Sequence, residues 1–67
     1  MNLVINGEKM NVPKSISTIT ELIEHLELKS PVIIVEHNEV ILQKGEHEKT
    51  KIAPGDTIEF VQFVGGG

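Results

Sequence analysis

Thr18-Ile19-Thr20-Glu21 opens the one stretch that limits this chain's architecture most tightly. A hydroxyl residue followed three positions later by Glu is the capping-box pattern, in which each side chain satisfies an N–H group that the first helical turn leaves unpaired. Behind it, Ile19, Leu22, Ile23 and Leu26 recur at i, i+3, i+4 and i+7, one apolar stripe of a helix. Glu21, Glu24, His25 and Glu27 take the wet side, and Leu28 is placed to close over the core as the chain leaves. This predicts a helix of about ten residues. A lone amphipathic helix needs a surface on which to bury its stripe, and only a sheet can supply it here.

The sheet is written on both sides of the helix. Asn2-Leu3-Val4-Ile5 reads as a strand, Asn6-Gly7 is the strongest two-residue hairpin signal, and Glu8 to Val12 returns, ended by Pro13. After Lys29-Ser30-Pro31 breaks the helix, Val32-Ile33-Ile34-Val35 is the candidate for a central strand. His37-Asn38-Glu39 turns the chain into a short extended segment, Val40 to Gln43. Lys44 to Lys51 is polar and reads as a surface loop whose apolar foothold is Ile52. Ala53-Pro54-Gly55-Asp56 has Pro and Gly where a tight turn needs them, and Thr57 to Val64 is the final strand.

In that last strand Ile58 and Phe60 share one face with Gln62 and Val64, while Thr57, Glu59, Val61 and Phe63 share the other. Glu59 marks its own face as wet. Val61 and Phe63 are therefore expected outside, where two apolar residues beside the chain end read better as part of a docking patch than as scattered surface. Gly65-Gly66-Gly67 follows, and backbone without Cβ atoms bends easily and slides through narrow slots. On this reading the domain is 1–64 and 65–67 a flexible glycine tail, with the α-carboxylate of Gly67 as the working group. The tail alone is equally compatible with a frayed end or a cloning remnant.

Composition removes several rivals. A chain of 67 residues has room for one modest core and little for a deep catalytic pocket. No cysteine means no disulfide and no thiolate chemistry, which fits a reducing cytoplasm. Neither a leader peptide nor a membrane span is expected. Ten acidic against six basic residues, with no Trp or Tyr, argue against nucleic acid. His25, His37 and His47 lack metal-ligand spacing and read as solvated surface; no metal is expected. No nucleophile or acid–base set stands out, so the chain does not read as an enzyme.

The α+β order β-β-α-β-β-β, a mixed sheet of four to five strands with one helix on one face, resembles the β-grasp or ubiquitin-like fold. Asn6-Gly7, Asp56-Thr57-Ile58-Glu59-Phe60-Val61 and the ending Val64-Gly65-Gly66-Gly67 look like the ThiS family of sulfur carriers, over the whole chain. The resemblance implies a role in thiamine (thiazole) biosynthesis. A ThiF-type enzyme would use ATP to adenylate Gly67, a persulfide donor would supply sulfur, and the Gly67 thiocarboxylate would pass it to a ThiG-type thiazole synthase. The carrier itself would bind no cofactor and would be monomeric when free. Gly65 and Gly66 would form the tail, and Val61, Phe63 and Val64 would dock the partner. Phe63 and Val64 stand where eukaryotic protein modifiers usually carry arginine, which favours a carrier over a protein tag. The alternatives are a MoaD-type carrier for molybdopterin synthesis and a ubiquitin-like conjugation or binding module.

Overall fold

The computed structural model describes residues 1–63. Its elements run β1 (Asn2–Ile5), β2 (Glu8–Asn11), α1 (Ile19–His25), β3 (Val32–His37), β4 (Val40–Leu42), a 3-10 turn (Lys44–Glu46) and β5 (Thr57–Phe63). The five strands form one sheet in the order β2-β1-β5-β3-β4. β1 and β5 are parallel and the other pairs antiparallel, so the sheet is mixed. The middle strand is β5, not β3, which lies between β5 and the short edge strand β4.

Local sequence explains most of these elements. Asn6 and Gly7 both take positive φ, 50° and 82°, as a two-residue turn matched to strand twist requires. Asn38 and Glu39 do the same between β3 and β4, at 48° and 72°. The Ala53–Asp56 turn closes through Asp56 N–H to Ala53 O at 3.1 Å, with Gly55 at φ 88°. Leu3, Ile5, Val12, Val35, Ile58 and Phe60 line the inner sheet surface, and Ile19 and Leu22 press onto them from α1.

The helix has both halves of its capping box: Glu21 N–H donates to Thr18 Oγ1, and Glu21 Oε1 accepts from Thr18 N–H and from Ser17. It is seven residues long, shorter than the periodicity predicts. The chain leaves through Glu27 at φ 58°, and Leu28 N–H bonds back to Ile23 O at 3.1 Å, a left-handed cap that turns Leu28 onto the core. The periodicity stays apolar through Leu26 and Leu28 although the helix has already ended, because the cap keeps both facing the sheet.

Lys44 to Lys51 is more than a surface loop. Ile19 N–H donates to Thr50 O and Thr20 N–H to His47 O, so this segment's carbonyls receive two of the free N–H groups at the start of α1. Ile52 N–H to Ser17 O adds a third tie, and Ile52 packs against the core as expected. His47 is half-buried rather than solvated, and its Nε2 is buried with no hydrogen-bond partner among the described residues.

Candidate functional site

The register of β5 against β3 builds the site. Phe63 faces Val32, Val61 faces Ile34 and Glu59 faces Glu36, and partners in register share a sheet face. Glu36 in turn pairs with Ile41 of β4. The surface opposite α1 therefore presents Val32, Ile34, Val61, Phe63 and Ile41 together, 40–67% exposed. Glu59 and Glu36 border them as directly opposed carboxylates. Like charges so placed repel, a cost that a basic group on a partner would relieve.

Val61 and Phe63 lie outside, as their alternation with Ile58 and Phe60 predicts; the latter two are 0% and 6% exposed. Val64, Gly65, Gly66 and Gly67 lie outside the described residues. Sequence reasoning missed the contribution of β3 and β4. Val32-Ile33-Ile34-Val35 is apolar on both faces, but Glu36 alternates with Ile34 and Val32 and marks their face as the wetter one, a signal the sequence reading passed over.

A second polar cluster braces the other end of β5. His37 Nε2 lies 2.7 Å from Asp56 Oδ2, both side chains about one-sixth exposed or less (16% and 14%). Asn38 Nδ2 donates to Asp56 Oδ1 at 3.1 Å, and Ala53 N–H donates to Asp56 Oδ2 at 2.9 Å. His37 is thus a half-buried structural partner rather than a solvated turn residue. Partial burial pushes the Asp56 carboxyl upward, but the bonds from Ala53, His37 and Asn38 outweigh it and hold the group below its ordinary value. Among the described residues no three metal-ligating side chains converge, and no helix is long and apolar enough to cross a membrane.

A five-stranded mixed sheet with one helix across its inner face, and an apolar outer face on the strand that leads into three glycines, defines a β-grasp, ubiquitin-like carrier domain. The model of the ThiS family matches residues 3–67. The chain is 35% identical over 65 residues to the sulfur carrier protein ThiS of Bacillus subtilis (strain 168), covering 97% of this chain and 98% of that one. The crystal structure of the thiamine biosynthesis protein ThiS from Geobacter metallireducens superposes at a TM-score of 0.84, with 35% identity and 100% of both chains covered. A thiazole synthase from Paramagnetospirillum magneticum is 39% identical over 67 residues, all of this chain but 20% of that protein. The chain belongs to the ThiS family and is a sulfur carrier, not an enzyme.

Proposed function

We propose that the chain carries sulfur for thiazole formation in thiamine biosynthesis, as a thiocarboxylate on Gly67. One observation carries this reading beyond family membership: the exposed Val32–Ile34–Val61–Phe63 patch ends where the sequence enters Val64-Gly65-Gly66-Gly67. A partner seated on that patch has the glycines at its own surface. Three residues without Cβ atoms then need little width to enter its active site.

The chemistry follows from what a carboxylate lacks. It is a poor electrophile, so a Gly67 oxygen must first attack the α-phosphorus of ATP, expelling pyrophosphate and forming an acyl-adenylate. The terminal sulfur of a persulfide then attacks the acyl carbon and AMP leaves, giving an acyl disulfide. A thiol reduces that bond, freeing the thiocarboxylate and forming a new disulfide. A ThiF-type enzyme supplies the ATP site, and a ThiG-type thiazole synthase takes the sulfur. The thiazole synthase that contains a stretch similar to this whole chain supports that acceptor. Docking rests on Phe63, Val61 and Val64 as the sequence suggests, with Val32, Ile34 and Ile41 added, and a basic rim on the partner meets Glu36 and Glu59.

Intact-mass measurement after incubation with a ThiF-type enzyme, ATP and hydrosulfide tests the proposal, since hydrosulfide displaces AMP directly. Sulfur in place of one oxygen on the Gly67-containing peptide is the expected product. An isopeptide adduct to lysine would mark a protein tag instead, and an unchanged mass under conditions that load the Bacillus carrier would overturn the reading.

A further inference from the structure

β1 stops at Ile5, yet β5 runs on to Phe63. On their shared side the parallel ladder has two rungs that end on β5 carbonyls, Val4 N–H to Asp56 O and Asn6 N–H to Ile58 O, both 3.0 Å. A longer β1 would next offer a carbonyl to Phe60 N–H. Its main chain instead turns away at Asn6-Gly7. The Asn6 side chain takes over: Oδ1 accepts from Phe60 N–H at 2.7 Å, and Nδ2 donates to Phe60 O at 3.4 Å. A primary amide carries the same donor and acceptor as a peptide group, so the side chain acts as one more rung. Among the described residues it is the last rung on that flank of β5.

Asn38 braces the start of the strand with one side-chain and one main-chain bond, from the corresponding position of the other hairpin turn. Its Oδ1 accepts from Thr57 N–H at 2.9 Å and its own N–H donates to Thr57 O at 2.8 Å. The two asparagines brace β5 from opposite flanks, one at its root and one just before Val61 and Phe63.

We infer that Asn6 is a positioning residue for sulfur loading: its side-chain rung on Phe60 holds the end of β5 so that Val61 and Phe63 meet the adenylating enzyme in one orientation. The inference rests on the carrier reading above. Beyond Phe60, β5 pairs with β3 alone; without the rung its unpaired flank begins just after Ile58, and the patch is presented as a spread of orientations from which the partner must select.

Asn6→Gly removes the amide while keeping the left-handed turn, and Asn6→Asp keeps the acceptor for Phe60 N–H. Asn38→Gly loosens the other end and serves as the control for general loss of stability. Amide hydrogen exchange and pyrophosphate release by a ThiF-type enzyme are measured on all three. Asn6→Gly should exchange Phe60 N–H about tenfold faster or more, with Leu3 and Leu22 unchanged, as local opening requires. Its KM as carrier should rise about fivefold at unchanged kcat, the mark of a lost docking contribution. Asn6→Asp should recover most of both, and Asn38→Gly should leave KM alone. A wild-type KM in Asn6→Gly, or an equal rise in Asn38→Gly, overturns the inference. If the wild-type carrier releases no pyrophosphate, the carrier reading fails, whereas unchanged Phe60 exchange in Asn6→Gly would sink the rung itself.

Discussion

Phe60 and Phe63 are three residues apart on one strand and belong to opposite faces of the sheet. Phe60 is 6% exposed among Val35, Ile58 and α1, whereas Phe63 is 54% exposed beside Val32. Truncating Phe60 leaves a cavity that a small core cannot close, and Phe60→Ala should cost about 3–5 kcal/mol. Phe63→Ala removes contacts mostly with solvent and should cost under about 1 kcal/mol while weakening adenylation through docking. Urea denaturation of both variants checks the pair; comparable losses would mean the face assignment is wrong. This division was legible because a single charged residue, Glu59, fixes the phase of a two-residue alternation. Glu36 sets the phase of Val32 to Val35 in the same way, but that Val32 and Ile34 stand beside Phe63 and Val61 could not be read until the strand register was known.

At the scale of elements, turn chemistry and capping were legible because each depends on a side chain at a fixed offset: Asn6-Gly7, Thr18 with Glu21, and Pro54-Gly55-Asp56. Contacts made by main-chain carbonyls carry no such signature, so the capping of α1 by His47 O and Thr50 O could not be read from Lys44 to Lys51. His37 and Asp56, nineteen residues apart, meet only because β3 and β5 pair with Ile58 opposite His37. With the bonds from Ala53 N–H and Asn38, that meeting gives the Asp56 turn a pH dependence. The folded carboxyl lies below its ordinary 3.8, so its ionised form stabilises the fold above that value. The contribution is lost as pH falls through the lower, folded-state value. The stability gap between wild type and Asp56→Asn should therefore be full above about pH 5 and shrink below about pH 4. Urea midpoints measured across that range decide it, and a gap that widens toward acid pH would contradict the assignment.

For the whole molecule the two faces of one sheet divide the work. Its inner face is used up in holding α1, which leaves the outer face as the one broad apolar surface among the described residues for recognition. Among the described residues, 1–63, the five strands pair into one sheet and the core closes around α1. A chain ending at Phe63 should therefore fold with nearly the same urea midpoint as the full carrier, yet have no Gly67 to activate. If the body docks independently of the tail, this truncated chain should inhibit adenylation of the full carrier, competitively with it. The same truncated chain bearing Phe63→Ala should inhibit at least several-fold less well, because an exposed aromatic side chain is among the residue types most enriched at protein interfaces. Sulfur transfer to the thiazole synthase should respond in the same way if one face serves both enzymes in turn. Steady-state inhibition with the two truncated chains measures this directly. A folded truncated chain that inhibits neither reaction would place recognition in the glycines alone and leave the outer face of the sheet without a role.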